Sequence, residues 1–475
     1  MKKYKIIFSI MLLVLFSFSC SDEIMDEIDT DPNNPTDVPI SMLMSGVTVG
    51  TPYWVTGTTL AWYSSIFCEQ TAGAHGQMRD ADRRANINSQ LGENSWAFQI
   101  YPRLLPDLQI IIEKGSTGGS EEGKWIDVGI AKVLMAYTMF VTTDTWGRVP
   151  YREALQGSEN RKPAFDTQEQ IYSDMFALLD EAIEDLQKEN ISTTGSEDFI
   201  YGGDPELWIK AAYSLKARYA NHLSKIDPAG SAADALAAAE EGFASVEDDM
   251  TFANFSDDPG HENTWHQEEN ERKHHAISNT FYGVLNEIND PRLDLFCTLL
   301  GGEVVPAPNG TAVQDQAGQV YSRITNEVIY AEAPLPIMTF AELKFIEAEC
   351  HLRKSSPDTE AALTAYEAGL DAALEQAGVS TGAANSYKAQ SEVVPASAAD
   401  LTLDMIYTQK YIHLWPYGAV EAYAELRRTD FPETTNPFDT PRRFPYPQNE
   451  ISGNAENVPD VTAYNGVWWD DGTED

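Results

Sequence analysis

Cysteine is scarce in this 475-residue chain, which has four: Cys20, Cys68, Cys297 and Cys350. Cys20 stands apart near the start, and the other three cannot all pair. No short metal-type spacing links them, so neither a disulfide framework nor a zinc site is expected. Cys350 falls inside a helical pattern and reads as a small buried hydrophobe. Positive charge is also short: Lys and Arg total 32 against 74 Asp and Glu, a formal net charge of −42. Nucleic acid is thereby excluded as a partner, because its phosphates need a basic footprint. The charge itself speaks to solubility and carries no evidence about fold. Beyond the first residues no sustained apolar run reaches the ~20 residues of a membrane-spanning helix. Also missing are a Gly-x-Ser-x-Gly elbow, a His-Glu-x-x-His zinc motif and a phosphate-cradling glycine loop. His261-Glu262 with His266 comes near the zinc motif, but the second His is one position too far.

What the sequence does have begins at its first residues. Lys2, Lys3 and Lys5 make a positive start, and Ile6 to Phe18 is almost wholly apolar. A charged start, a short apolar core and small residues before a break read as a secretory signal. The break, Ser17-Phe18-Ser19-Cys20, resembles a bacterial lipoprotein cleavage site. Residues 1–19 are therefore read as a signal peptide, with Cys20 as the lipid-bearing N-terminus that cleavage would expose. Acyl chains hold by burying methylenes at about 0.8 kcal/mol each. Residues 20–39 are acidic and punctuated by Pro32, Pro35 and Pro39, a composition that cannot pack and reads as a tether. Acidic residues just after the lipid cysteine resemble the surface-export signal of Bacteroidetes lipoproteins. Residues 40–475 remain for a large core.

That body reads as helix after helix. Over Thr167–Asn190, Ile171, Met175, Leu178, Leu179, Ala182, Ile183 and Leu186 recur at three and four, with Thr167 and Gln170 as a capping box. Asp204-Pro205 opens the next helix and Asp227-Pro228 stops it. Trp125–Val141 is apolar on nearly every side, the pattern of a buried helix. Pro336 is expected to start another, followed by Thr359–Gln376, Leu403–Trp415 and Ala419–Arg428. Tyr53–Phe67 and Trp96–Ile112 are also assigned as helical. Strand signals are few; Gly301–Tyr330 is expected to hold at most a short hairpin, and 250–275 and 436–475 read as irregular. The expected fold is all-α: an array of antiparallel helix pairs with a tetratricopeptide-like scaffold, long irregular loops and at most minor β structure.

Several phrases stand in order along this body. They are Asp144-Thr145-Trp146-Gly147-Arg148-Val149-Pro150-Tyr151, Pro163–Asp166, Ser214-Leu215-Lys216-Ala217-Arg218, Glu342–Glu349, Gln409-Lys410, Glu421-Ala422-Tyr423, Arg427-Arg428 and Pro441–Pro447. With Asp31-Pro32-Asn33-Asn34-Pro35 after the tether, the ordered set resembles the SusD/RagB family of outer-membrane lipoproteins over nearly the whole mature chain. The resemblance implies a helical, non-enzymatic capture protein, lipid-anchored in the outer membrane and facing the exterior. It implies a glycan or peptide ligand, passed to a TonB-dependent barrel of the SusC type. No cofactor or metal is implied. The phrases themselves read as scaffold, with Arg427 and Arg428 pairing with carboxylates.

Candidate ligand residues come from the residue types that suit sugars, which present apolar faces ringed by hydroxyls. The richest patch holds Tyr53-Trp54, Trp62-Tyr63 and then His75 to Trp96, with Arg79 and Asp80 between them. Trp62 and Tyr63 sit at helical spacing and read as core, whereas Trp54 and Trp96 border loops. A second patch, His261 to His275, places Trp265 and His266 in a polar run. Trp54, Trp96, Arg79, Asp80, Trp265 and His266 are the selected ligand-binding residues. Three alternatives stay open: a peptide-binding uptake protein of the RagB kind, an all-α glycosidase built on two carboxylates ~5–9.5 Å apart, and a helical-repeat scaffold that binds protein. With 74 acidic residues, carboxylate pairs on one helix face are inevitable and discriminate nothing.

Overall fold

A computed structural model describes residues 37–471, except 193, 194 and 317, together with residue 473. The signal peptide, Cys20 and the tether to residue 36 lie outside the described residues. The described chain is helical, with four short strands. Helix α1 (Ile40–Gly50) runs through a π-helical turn (Thr51–Thr56) to α2 (Thr59–Phe67), β1 (Thr71–Gly73) and α3 (Gly76–Asp82). A second π-helical segment (Ser95–Leu104) leads into α4 (Leu105–Gly115). The scaffold follows: α5 (Trp125–Trp146), α6 (Gln168–Leu186), α7 (Pro205–His222) and α8 (Pro228–Ala239). Next come β2 (Met250–Phe252), α9 (Thr264–Glu271), β3 (His275–Ile277), α10 (Asn279–Glu287), α11 (Arg292–Phe296) and β4 (Leu335–Met338). The chain then forms α12 (Phe340–Arg353), α13 (Thr359–Gln376), α14 (Thr381–Lys388), α15 (Leu403–His413) and α16 (Ala419–Thr429). Two short helices, α17 (Gln448–Gly453) and α18 (Trp468–Asp471), lie in the last segment.

Helix packs on helix in pairs, α5 with α6, α7 with α8, and α12 with α13. Pairing is what an amphipathic stripe requires, because one helix cannot bury its apolar face alone. Local chemistry sets the boundaries. The Thr167 capping box forms as its spacing predicts, and Asp204 accepts the backbone N–H groups of Glu206 and Leu207. Helix α5 is 22 residues long, and by length and composition alone it passes for a membrane span, unlike the sequence reading. Of its apolar window 94% is buried inside the protein, so it is the central core helix. Its single lysine, Lys132, is satisfied by Glu181 and Asp185 of α6, each at 2.8 Å.

Three expectations need correction. Pro336 does not start a helix; it lies in β4, which pairs antiparallel with β2, and α12 begins at Phe340 with Thr339 capping the Glu342 N–H. Thr339, unlike Pro336, offers a side-chain acceptor to the first turn. Residues 250–275 are not wholly irregular, since they hold β2 and α9; Asn263 caps the N–H groups of Trp265 and His266. Residues 436–475 likewise are not wholly irregular, since they hold α17 and α18; 301–330, expected to hold at most a short hairpin, shows only isolated bridges such as Ile324 with Cys297 among the described residues.

The shared phrases of the sequence meet in a buried ionic core. Arg218 of α7 clamps Glu342 of α12 through Nε at 2.7 Å and Nη2 at 2.5 Å. Arg428 of α16 donates to both oxygens of Glu349 at 2.5 and 2.6 Å, and to Glu425 at 2.9 and 2.7 Å. His222 sits between Asp144 at 3.0 Å and Glu421 at 3.1 Å. Arg427 departs from its expected role: it donates to the backbone carbonyls of Asp144 and Arg442 at 2.6 and 3.0 Å, not to carboxylates. Trp146 Nε1 donates to the Pro445 carbonyl at 3.1 Å, which ties the first phrase to the last.

Candidate functional site

Strand β1 pairs with β3 in the register Gly73 opposite His275, and this pairing brings the two candidate patches together. Gly73 permits it: a Cβ there would sit 2.0 Å from the Met78 carbonyl oxygen, so only glycine lets α3 fold back so closely. The His75 and His274 rings then lie 5.3 Å apart, centroid to centroid. Gly76, with a φ of +54°, faces the His274 ring, and a Cβ there would lie 2.7 Å from its Cε1. On the other side Tyr53 donates to Gln267 Oε1 at 3.4 Å.

Two buried carboxylates of α9 lie under this face. Glu268 Oε1 is 3.4 Å from His274 Nδ1, and Glu269 Oε1 is 3.2 Å from His275 Nδ1. Burial pushes the Glu268 carboxyl up, but His274, His275 and Arg272 outweigh it and hold the group below the usual carboxylate range. The Tyr63 phenol is raised by burial first, then by Glu268 and Asp80, so both carboxylates act on one ring. Around them, His75 Nδ1, Arg79 Nε, Glu269 Oε2, His275 Nε2 and Trp62 Nε1 are buried without a hydrogen-bond partner. Such groups are costly in a finished core.

The selected residues divide. Trp54 is half-buried, and three of its ring carbons lie within 3.5 Å of where a Gly50 Cβ would stand, so the ring is braced on backbone. Arg79 and Asp80 are half-buried on α3, with Asp80 Oδ2 accepting from Asn86 at 3.1 Å. His266 is half-buried and engaged at both nitrogens, by the Ile329 carbonyl at 2.9 Å and Asn270 at 2.6 Å. Trp96 and Trp265 correct the sequence reading: they are 2% and 0% exposed and are core, not stacking platforms. Trp96 packs against Tyr101, Trp146, Phe165 and Tyr446, and Trp265 against His275. Sequence reasoning passed over Glu268 and Glu269, since nothing local distinguishes them from their acidic neighbours.

A second cluster deserves a chemical test for metal. His222, Glu421 and Glu425 place ligand atoms within 4.8 Å of one another. Cations already fill that space: Lys410 Nζ lies 3.7 Å from Glu421 and 3.3 Å from Glu425, and Arg218 Nε lies 3.6 Å from Glu421. Burial lowers the His222 imidazole, but Glu421 and Asp144 outweigh it and raise it to about 9. A protonated imidazole has no lone pair for a metal, so the cluster is an ion-pair network.

A scaffold of helix pairs carrying a polar, aromatic-edged face has the construction of a ligand-binding protein. The chain belongs to the SusD-like family: residues 32–447 match the family model described as starch-binding, associating with outer membrane. Among solved structures, a SusD/RagB family protein from Bacteroides thetaiotaomicron is 27% identical with a TM-score of 0.83, covering 92% of this chain and 100% of its own. A chitin-binding SusD homolog from Flavobacterium johnsoniae is 24% identical with a TM-score of 0.74, covering 90% of this chain and 98% of its own. A SusD homolog from Bacteroides vulgatus is 24% identical with a TM-score of 0.76, covering 92% and 98%. No curated protein sequence matches.

Proposed function

We propose that this protein is an exterior-facing outer-membrane lipoprotein, anchored through Cys20, that captures a nutrient oligosaccharide and hands it to a TonB-dependent barrel of the SusC type without cleaving it. Residues 1–19 serve as its signal, 20–39 as its tether and 40–475 as the capture domain. The observation that carries the binding role is the convergence of the 53–86 and 261–277 segments through the β1–β3 pairing. Family membership supports the glycan and the outer membrane, and a chitin-binding structural relative supports the ligand class.

In this reading Trp54 supplies the apolar platform, while Arg79 and Asp80 hydrogen-bond the hydroxyl rim and His266, held at both nitrogens, fixes the α9 side of the face. Calorimetric titration with starch and chitin oligosaccharides, with product analysis on each, tests it. One glycan class is expected to bind saturably and remain intact. Trp54→Ala is expected to weaken binding about tenfold, the worth of one stacked ring. Cleaved product would move the protein to the hydrolases, and saturable binding of peptides alone would move it to the peptide carriers. Trp96→Ala and Trp265→Ala are poor tests, because both remove core volume.

A further inference from the structure

Away from the β1–β3 face, a cavity of about 610 Å³ opens between α11, β4, the start of α12, the end of α13 and the Trp415–Gly418 turn. Small-molecule sites fall at about 300–1,000 Å³. Apolar surface dominates the walls, with Phe296, Ile337, Pro416 and Tyr417 among them. The polar groups are few and unevenly matched.

Arg292 lines this cavity and is fully buried. Its Nε and Nη2 grip Asp290 at 2.9 and 2.6 Å, and Nη2 also donates to Gln409 at 2.6 Å. Its Nη1 has no hydrogen-bond partner. Trp415 Nε1 is buried on the same cavity and also lacks one. His413 lines the same cavity. Thr339 Oγ1 accepts the Glu342 N–H at 3.2 Å and shares a hydrogen bond with His413 Nε2 at 2.7 Å. Burial, then the charges of Arg292 and Lys410, push this imidazole down to about 3. The acidic groups of the cavity are engaged or exposed: Asp249 accepts the Phe340 N–H at 2.6 Å, Glu342 is clamped by Arg218, and Glu327 and Glu375 face solvent.

Unmatched N–H donors in an apolar-walled cavity call for an acceptor on an apolar body. We propose that this cavity is a second ligand site, for a small organic acid whose carboxylate takes the free N–H groups of Arg292 and Trp415 and whose apolar body lies against Phe296 and Tyr417. The site is independent of the glycan reading, since it shares no residue with the β1–β3 face.

The test uses the full chain with ¹⁵N-labelled tryptophan indoles. Benzoate is the probe, and benzyl alcohol is its uncharged counterpart. Benzoate is expected to shift the Trp415 indole resonance saturably, with the resonance assigned by its loss in Trp415→Phe. Benzyl alcohol is expected to bind about tenfold more weakly, the worth of one charge-assisted hydrogen bond. Trp415→Phe keeps a flat ring and removes only the N–H, and should weaken benzoate about as much, whereas Trp54→Ala should not. The wild-type titration needs no variant to fold. No saturable shift at that resonance overturns the proposal. So does equal affinity for the two probes, or benzoate binding that is indifferent to Trp415→Phe.

Discussion

Replacing Arg428 with methionine is expected to lower stability by about 3–5 kcal/mol, the cost of breaking a buried ion pair from one side. Arg428 is buried and holds two carboxylates, Glu349 and Glu425, through four hydrogen bonds. Methionine fills much of the volume but leaves both acids without this partner. Glu349 shows how much the arrangement matters. Burial alone would raise its carboxyl, yet Arg428 and Arg353 hold it at about 2. Its share of the stability is thus present above about pH 4.5 and lost as pH falls towards 2. Guanidinium denaturation of wild type and Arg428→Met at pH 7 checks the prediction. Arg152→Met is the control: its pair with Asp174 is exposed, and surface pairs are worth at most about 1 kcal/mol. Equal midpoints for Arg428→Met and Arg152→Met would remove the ionic core from any account of this fold.

His222 makes the second large prediction, and its sign is opposite to that of Glu349. Its pKa is about 9 in the folded protein against an ordinary 6.5. A raised histidine contributes stability that is complete below pH 6.5 and lost as pH rises through 9. Each pKa unit is worth about 1.4 kcal/mol, so the whole change is about 3 kcal/mol. About 2 kcal/mol of it falls above pH 7.5. Asp82 and Asp249 reach only about 7, burial being the first cause of both rises, so they titrate below that window. Denaturation midpoints at pH 7.5 and 9.5 are therefore expected to fall for wild type. In His222→Gln the midpoint should be lower at both pH values and nearly flat between them. A wild-type midpoint flat over that window would mean that His222 does not lose a proton there and that its two carboxylates do not raise it to about 9.

The scaffold was largely legible because its signals are local. The stripe of α6, the caps at Thr167 and Asp204 and the all-round apolarity of α5 are each written within twenty-odd residues. The site was legible only in part. Both candidate patches could be read as polar stretches with aromatics, but their meeting depends on β1 finding β3 some 200 residues later, a pairing of three residues each. Trp96 misled for the same reason. Its packing partners Phe165 and Tyr446, and Glu450, which accepts its Nε1–H at 3.3 Å, are all distant in sequence. Trp265 looked stranded among polar residues, yet Asn263 caps α9 and the first two helical residues, Thr264 and Trp265, are both buried. The cavity behind Trp415 had no sequence signal, because an unmatched N–H is a property of what surrounds it.

Helix α5 carries a further consequence for a chain that must cross the inner membrane unfolded, as the proposed lipoprotein would. In transit there is no α6 to receive it, and its apolar run competes as a stop-transfer segment. Lys132 lies near the middle of that run, where a lysine opposes lateral release into lipid by about 2.5–3.5 kcal/mol. The charge that docks on Glu181 and Asp185 in the finished protein would thus also keep the nascent chain moving. Lys132→Leu is expected to strand part of the protein in the inner-membrane fraction, and cell fractionation showing full delivery would mean that translocation reads something other than this lysine.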